Sequence, residues 1–429
     1  MQPASQTIDD PVILEIFWER CISIVDEAAD TLVRAAFSTV VRESNDYGCS
    51  VCDSDGVGIG YTTKGTPRMS IILPRTIRAI LEKIPPETLQ PGDVLFTNDP
   101  WYGSGHLPDF YIAMPIFRRG ELVGFAGASS HVADIGGTVT TGARQVYEEG
   151  ICFPPVKLFH AGKPDDVIFS IIEKNVRVSN QVLGDLNALI ASCRTSATEI
   201  VKLMDETGID DLRPVSRSLN ARTERVFRRA IEEIPDGTYS SRIRTDGFDG
   251  EIYLQCAMTV RGSDIAIDCT GTSPQTSPGG INVVYNYTYS AFVYVLKCVL
   301  DPHTPYNEGI TRPVKVTVPP GTIDYQENGV TKCSFDTSAM ILNEYTCSGL
   351  LAATQGTRTL TATFTPLTSD YLGATHTRPL SVLGTPSTAA ITSVSPSSPT
   401  AGSSYNVTVQ VNSLYAALPG GTVTLSDGS

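Results

Sequence analysis

Residues 110–117 and 122–126 are two strand-like apolar runs separated by a polar turn at Arg118-Arg119-Gly120, which is the plan of a β-hairpin. The chain entering it carries His106 and Asp109, and the chain leaving it carries His131 and Asp134. Antiparallel pairing brings the two outer ends of a hairpin to the same end of a sheet, so both His-x-x-Asp pairs would meet there. Imidazole nitrogen and carboxylate oxygen together suit a borderline divalent metal such as Mn, Fe or Zn. Only five histidines occur in the chain, and two fall here, among glycines 103, 105, 136 and 137 that let backbone approach a ligand. Just upstream, Asn98, Asp99 and Pro100 spell a turn.

That hairpin lies in the first of two compositional regions. Residues 1–323 hold 69 charged side chains; residues 324–429 hold 9, against 34 Ser or Thr. The change marks a boundary near residue 323 in a chain of 429, a length that suits two or three domains. A net charge of −14 argues against nonspecific nucleic-acid binding. No apolar run reaches the roughly 18 residues of a membrane helix. The first ten residues lack the basic and apolar regions of a secretory signal, so the expectation is a cytoplasmic chain with no membrane span. Ten cysteines are scattered along the chain; Cys49 and Cys52 form a C-x-x-C with no second one to complete a zinc site, and read as strand or turn residues.

Periodicity predicts an α+β first region of mixed sheet and helix. A helix opens at Asp10-Pro11 and reaches about residue 37. Short strands at 49–52 and 57–61 flank the turn at residues 53–56, a short helix covers 75–84, and a strand covers 94–97. Residues 138–159 read as a loop whose charged members Arg144, Glu148, Glu149 and Lys157 would wall the His/Asp cluster. Amphipathic helices follow over about 180–205 and 217–234, then antiparallel strands over 239–246, 251–261 and 264–270. A Gly/Ser/Pro loop at 271–275 lacks the Gly-Lys-Ser/Thr end of a phosphate loop; a helix over 287–300 and a strand over 313–318 close the region.

From residue 321 onward, Thr/Val-rich segments alternate as strands do. The string at 319–329, PPGTIDYQENG, recurs as PGGTVTLSDGS at 419–429, a spacing of 100 residues that matches an immunoglobulin-like sandwich. The expected domains are therefore 1–323, a partial immunoglobulin-like repeat at 324–384, and the start of a second at 385–429, all-β after the α+β region. Cys333 and Cys347 could bridge in an oxidising compartment.

With these residues in view, positions 10–323 resemble the hydantoinase B/oxoprolinase family, which includes the B subunit of N-methylhydantoinase and the alpha subunit of acetone carboxylase. The motifs are RESNDYGCSVCDSDG at 42–56, NDPWYGSGHLPD at 98–109, SSHVADIGG at 129–137, NVRVSNQVLGDLNA at 175–188, GTSPQ at 271–275 and N-x-G at 307–309. The resemblance implies a metal-containing subunit working beside an ATP-using partner of the hydantoinase A type. In the hydantoinase branch the pair opens a cyclic amide. In the carboxylase branch the alpha subunit holds manganese through two His and one Asp, which map onto His106, Asp109 and His131. Asp134 is then a fourth ligand or a partner that fixes the His131 tautomer, and Asn98 and Asp99 shape the pocket; these three are the candidate catalytic residues. The family often has a second histidine where this chain has Val132. No Walker A string and no G-x-S-x-G occurs, so ATP is expected on the partner. The family's domain continues past a Pro-x-Gly-Ser/Thr segment; here residues 320–323 lead into a tail that resembles bacterial immunoglobulin-like repeats, as in a fusion. The expected function is ATP-dependent opening of a cyclic amide. The alternatives are the alpha subunit of an acetone- or acetophenone-type carboxylase, and a non-catalytic fusion carrying a surface spacer.

Overall fold

The computed structural model describes residues 10–138, 143, 145–248, 250–276 and 281–321 with their side chains, and beyond them the backbone of eight short strands. The chain divides into two compact units, Met1–Gln326 and Glu327–Ser429.

The first unit opens with helix α1 (Pro11–Ala35), started by Asp10, whose Oδ1 accepts the Val12 N–H at 2.9 Å, and by Pro11 at the first helical position. Its inner stripe, Phe17, Trp18, Cys21, Val25, Ala28 and Leu32, is buried. After the short α2 (Thr39–Arg42) come β1 (Tyr47–Asp53) and β2 (Gly58–Tyr61), then α3 (Pro67–Lys83). α3 starts eight residues before the expected 75. Pro74 sits inside it without ending it, because Ile71, Ile72, Leu73, Ile77 and Ile80 bury and offset the one backbone bond that proline removes.

β3 (Val94–Thr97) leads through the loop at 98–108 to β4 (Asp109–Arg118) and β5 (Glu121–His131). The hairpin forms as expected, and longer: Arg119 at φ 52° and Gly120 at φ 88° make the two-residue turn that matches strand twist. After α4 (Val146–Glu149) come β6 (Val156–His160) and β7 (Lys163–Pro164). β6 falls where the sequence predicted loop; Pro154-Pro155 masks a short strand whose Leu158 is buried and which pairs with β3. The result is one antiparallel sheet of seven strands in the order β2-β1-β5-β4-β3-β6-β7.

Three helices follow, α5 (Asp166–Asn175), α6 (Ser179–Thr207) and α7 (Leu212–Glu232). α1 and α6 pack together against one face of the sheet through Phe17, Leu32, Val51, Phe110, Ala126, Leu186 and Leu189, while α3 covers the other through Leu73, Ile77 and Ile80. Cys49 and Cys52 lie three apart on β1 and so enter different clusters on its two faces; burial pushes the Cys49 thiol up to about 12, which suits an inert core residue rather than a redox pair.

A second sheet, β11-β10-β9-β8, is built from β8 (Gly237–Asp246), β9 (Glu251–Arg261), β10 (Asp264–Asp268) and β11 (Val314–Thr317), with only β10 and β11 parallel. Helix α8 (Tyr285–Leu300) and the end of α7 cover it through Val293, Leu296, Phe227 and Ile231. Arg78 on α3 forks onto Glu308 at 2.7 and 3.0 Å, and Glu308 also accepts the Gly58 N–H, so the segment before β11 is tied to β2 and α3.

In the second unit the strands Ser334–Asp336, Gly421–Asp427, Gly356–Pro366 and Ala374–Val382 make one antiparallel four-stranded sheet. Two further antiparallel pairs join Thr346–Cys347 with Ala389–Ala390 and Ser393–Ser395 with Asn406–Thr408. The expected sandwich packing and the Cys333–Cys347 bridge depend on side chains that lie outside the described residues. Among the described residues no helix is long and apolar enough to cross a membrane.

Candidate metal centre

Strand register does the first part of the assembly. Asp109 opens β4 and His131 closes β5, and the two are direct cross-strand partners, so their side chains rise from the same face. His131 Nδ1 lies 3.1 Å from Asp109 Oδ1. The second histidine comes from the loop before β4: His106 Nε2 lies 2.9 Å from the same oxygen. The rings stand with centroids 5.0 Å apart. One nitrogen from each ring and one Asp109 oxygen lie within 4.8 Å of one another.

Backbone bonds hold this end of the sheet. His131 N–H donates to the Asp46 carbonyl at 3.1 Å, and Val132 N–H to the Pro108 carbonyl at 2.8 Å. Val132 itself is buried in the core, so the position where the family often has a second histidine packs rather than binds. Asp109 is 1% exposed, and its other oxygen accepts from the Ser104 hydroxyl.

The charges are coupled. Burial alone would raise the Asp109 carboxyl, but His106 and His131 outweigh it and hold it well below the usual carboxylate range. Burial lowers His106, while Asp109, Glu149 and Asp46 more than offset that and raise it. Glu149 on α4 accepts the Leu107 N–H at 2.9 Å, and burial raises its carboxyl. Of the four charged residues expected to wall the cluster, Glu149 lies beside it, whereas Lys157 pairs with Asp93 at 2.8 Å and Arg144 lies outside the described residues. Asp46, read only as part of a polar turn, is a further acidic neighbour; nothing in its local sequence separates it from an ordinary turn residue.

The three residues proposed beside the triad have other partners. Asp134 is neither with the triad nor against His131. Its carboxylate accepts from the Arg177 backbone N–H, from Arg177 Nε at 2.9 Å and Nη2, and from Gly136 N–H at 3.2 Å. Asn98, 1% exposed, spends its whole amide on backbone: Nδ2 donates to Leu107 and Ile151 carbonyls at 2.8 and 2.9 Å, and Oδ1 accepts Phe153 N–H at 2.7 Å. Asp99 accepts Trp101 N–H at 3.1 Å in a local turn, and burial raises its carboxyl. Among the described residues, His106, Asp109 and His131 thus form the cluster that could hold a cation, and their two nitrogens and one oxygen fit a borderline divalent ion with positions left over.

A sequence model described as Hydantoinase B/oxoprolinase matches residues 10–409. The chain is 30% identical over 334 residues to the B subunit of a putative D-/L-hydantoinase of Pseudomonas sp. (strain NS671), covering 73% of this chain and 56% of that protein. It is 32% identical over 240 residues to the beta subunit of the caprolactamase of Pseudomonas jessenii, covering 54% of this chain and 41% of the relative. It is 27% identical over 348 residues to 5-oxoprolinase 1 of Arabidopsis thaliana, covering 74% and 27%. The fold is similar to the ATP-dependent caprolactamase of Pseudomonas jessenii, with TM-score 0.68, 21% identity and coverage of 97% and 90%. It is also similar to nucleotide-free acetone carboxylase, with TM-score 0.67, 20% identity and coverage of 75% and 45%. The chain spans about half the length of the hydantoinase relative it matches. None of these matches shows an immunoglobulin-like repeat, and the family match itself runs through the boundary at 323 to residue 409. The chain belongs to the hydantoinase B/oxoprolinase family.

Proposed function

We propose that this chain is the metal-holding subunit of an ATP-dependent enzyme that opens a cyclic amide, with His106, Asp109 and His131 as the ligands. The observation that carries the reading is the convergence of donors: one buried carboxylate oxygen and one nitrogen from each of two imidazoles lie within 4.8 Å of one another, a set that a single divalent cation can draw together. A divalent ion bound there would act as a Lewis acid on a carbonyl. The chain's own residues hold the donors in place: Asn98 fixes the His106 loop, and the Asp134–Arg177 pair fixes the segment after β5. Asp99 completes the turn that starts that loop. Mn, Zn and Fe all suit the donor set.

Relatives whose names make them one component of a larger enzyme, a hydantoinase and a caprolactamase, support a hetero-oligomer, with ATP handled by a hydantoinase A-type partner. The chain's cytoplasmic placement, and the domain limits at 323 and 384, belong to the same proposal. The test is metal content of the purified chain beside His106→Ala and Asp109→Asn. Near one divalent ion per chain, lost in both variants, is expected; no ion in the wild-type chain sinks the reading. Joined to a partner subunit, the loaded chain should open a lactam or hydantoin ring with ATP consumption. Carboxylation of a ketone instead would move it to the carboxylase branch.

A further inference from the structure

The two oxygens of Asp109 do different work. Oδ1 faces both histidines, at 2.9 and 3.1 Å, while Oδ2 accepts from the Ser104 hydroxyl. Ser104 is 7% exposed and sits between two glycines that the loop geometry requires. At Gly103 a Cβ would lie 2.4 Å from Tyr111 Cε2, so only glycine lets this loop press onto the Tyr111 ring. Gly105 has φ +106°, a region that side chains rarely adopt, and turns the chain toward His106. Together they seat Ser104 over Asp109. The buried Tyr111 hydroxyl lies near the same carboxylate and meets Ser104, whose own hydroxyl donates to Oδ2.

We propose that Ser104 is a positioning residue that keeps Asp109 a one-oxygen ligand, leaving coordination positions at the site open for substrate and water. This rests on the reading of His106, Asp109 and His131 as a cation site. The physical argument is satisfaction of a buried acceptor. With Ser104 present, Oδ2 has its donor and the carboxylate plane is fixed. With Ser104 removed, Oδ2 is a buried anionic oxygen that has lost its donor, and the cation competes with the Tyr111 hydroxyl to compensate it. The carboxylate then turns to offer both oxygens and takes up a position that substrate needs. Residues that orient ligands in this way tune both affinity and geometry.

The test uses the full chain loaded with Co²⁺, whose visible absorption reports coordination number, with affinity measured by titration. Ser104→Ala should change the d–d band intensity, as a second Asp109 oxygen joins the ion, and shift Co²⁺ affinity about 10-fold or more, while Ser104→Thr, which keeps the hydroxyl, should restore both. Circular dichroism establishes that each variant folds. If Ser104→Ala does not fold, Ser104→Gly, in a stretch that is already glycine on both sides, takes its place. A wild-type spectrum and wild-type affinity in the hydroxyl-free variant overturn this inference alone. No cobalt binding by the wild-type chain overturns the cation site and this inference with it.

Discussion

Arg177 grips Asp134 from two directions, with Nε 2.9 Å from Oδ1 and its own backbone N–H on the second oxygen. The grip joins the segment after β5 to the turn between α5 and α6, and it explains why Asp134, three residues beyond His131, does not face the triad. Asp134→Ala should cost about 2 kcal/mol by leaving the bonded donors without an acceptor, with metal affinity nearly unchanged. Burial raises this carboxyl but the Arg177 bonds outweigh it, so its net shift is downward. A depressed carboxylate contributes stability above its unfolded value, near 3.9, that is lost as pH falls through the folded value. The deficit of Asp134→Ala should therefore be full at pH 7 and shrink below about pH 4. Thermal unfolding beside metal titration checks both; a large loss of metal affinity would return Asp134 to the ligand set.

Asn98→Asp keeps the size of the side chain and exchanges the donor amide for an acceptor that faces the Leu107 and Ile151 carbonyls. Three groups in a buried place would then repel or go unpaired. A loss of about 3 kcal/mol or more is expected, with metal affinity falling as well because Leu107 adjoins His106. Urea unfolding reads the first effect and metal titration the second. A variant as stable as the wild type would show that the clamp is not holding the loop.

Asp53, at the end of β1, is 3% exposed, and burial pushes its carboxyl up to about 6 despite bonds from Val57 and Asp55 N–H. Here the sign reverses. The folded state holds the proton more tightly than the unfolded one, so stability should fall as pH rises from about 4 to about 6. Asp53→Asn keeps an acceptor for both N–H groups and removes the buried charge. It should be more stable than the wild type by about 1–3 kcal/mol at pH 7, and equal to it near pH 4. Denaturant midpoints at the two pH values decide; equal midpoints at both would mean that the charge is well solvated.

Gly48 on β1 faces α3 so closely that an added Cβ would meet Ser70 N at 2.7 Å and Met69 Cβ at 2.8 Å. The obstacle includes helix backbone, which cannot rotate aside. Gly48→Ala should cost about 1–3 kcal/mol through overpacking and should disturb the sheet end beside His131. A scan of Tm would contradict the close packing if the variant melted with the wild type.

Much of the architecture around the site could be read locally. Asp10-Pro11 starts a helix because both residues act on their own backbone. The 110–126 alternation makes a hairpin because side chains on a strand alternate faces. From that hairpin alone, His106, Asp109 and His131 could be placed at one end of a sheet. Pro74 and β6 were hidden because burial across the fold outweighs a local helix-breaking or loop-forming signal: Ile71, Ile77 and Leu158 have partners that are far away in sequence.

The sequence by itself determined which residue types arrive at the end of the sheet, since strand period and turn chemistry act over a few residues. Only the tertiary structure decided what each one does there. Asp109 and Asp134 have the same spacing from a histidine, yet one meets both imidazoles and the other meets Arg177, 43 residues further on. Hydrogen-bond partners are chosen by distance in space, and a buried carboxylate takes whichever donor the packing of distant helices brings within reach.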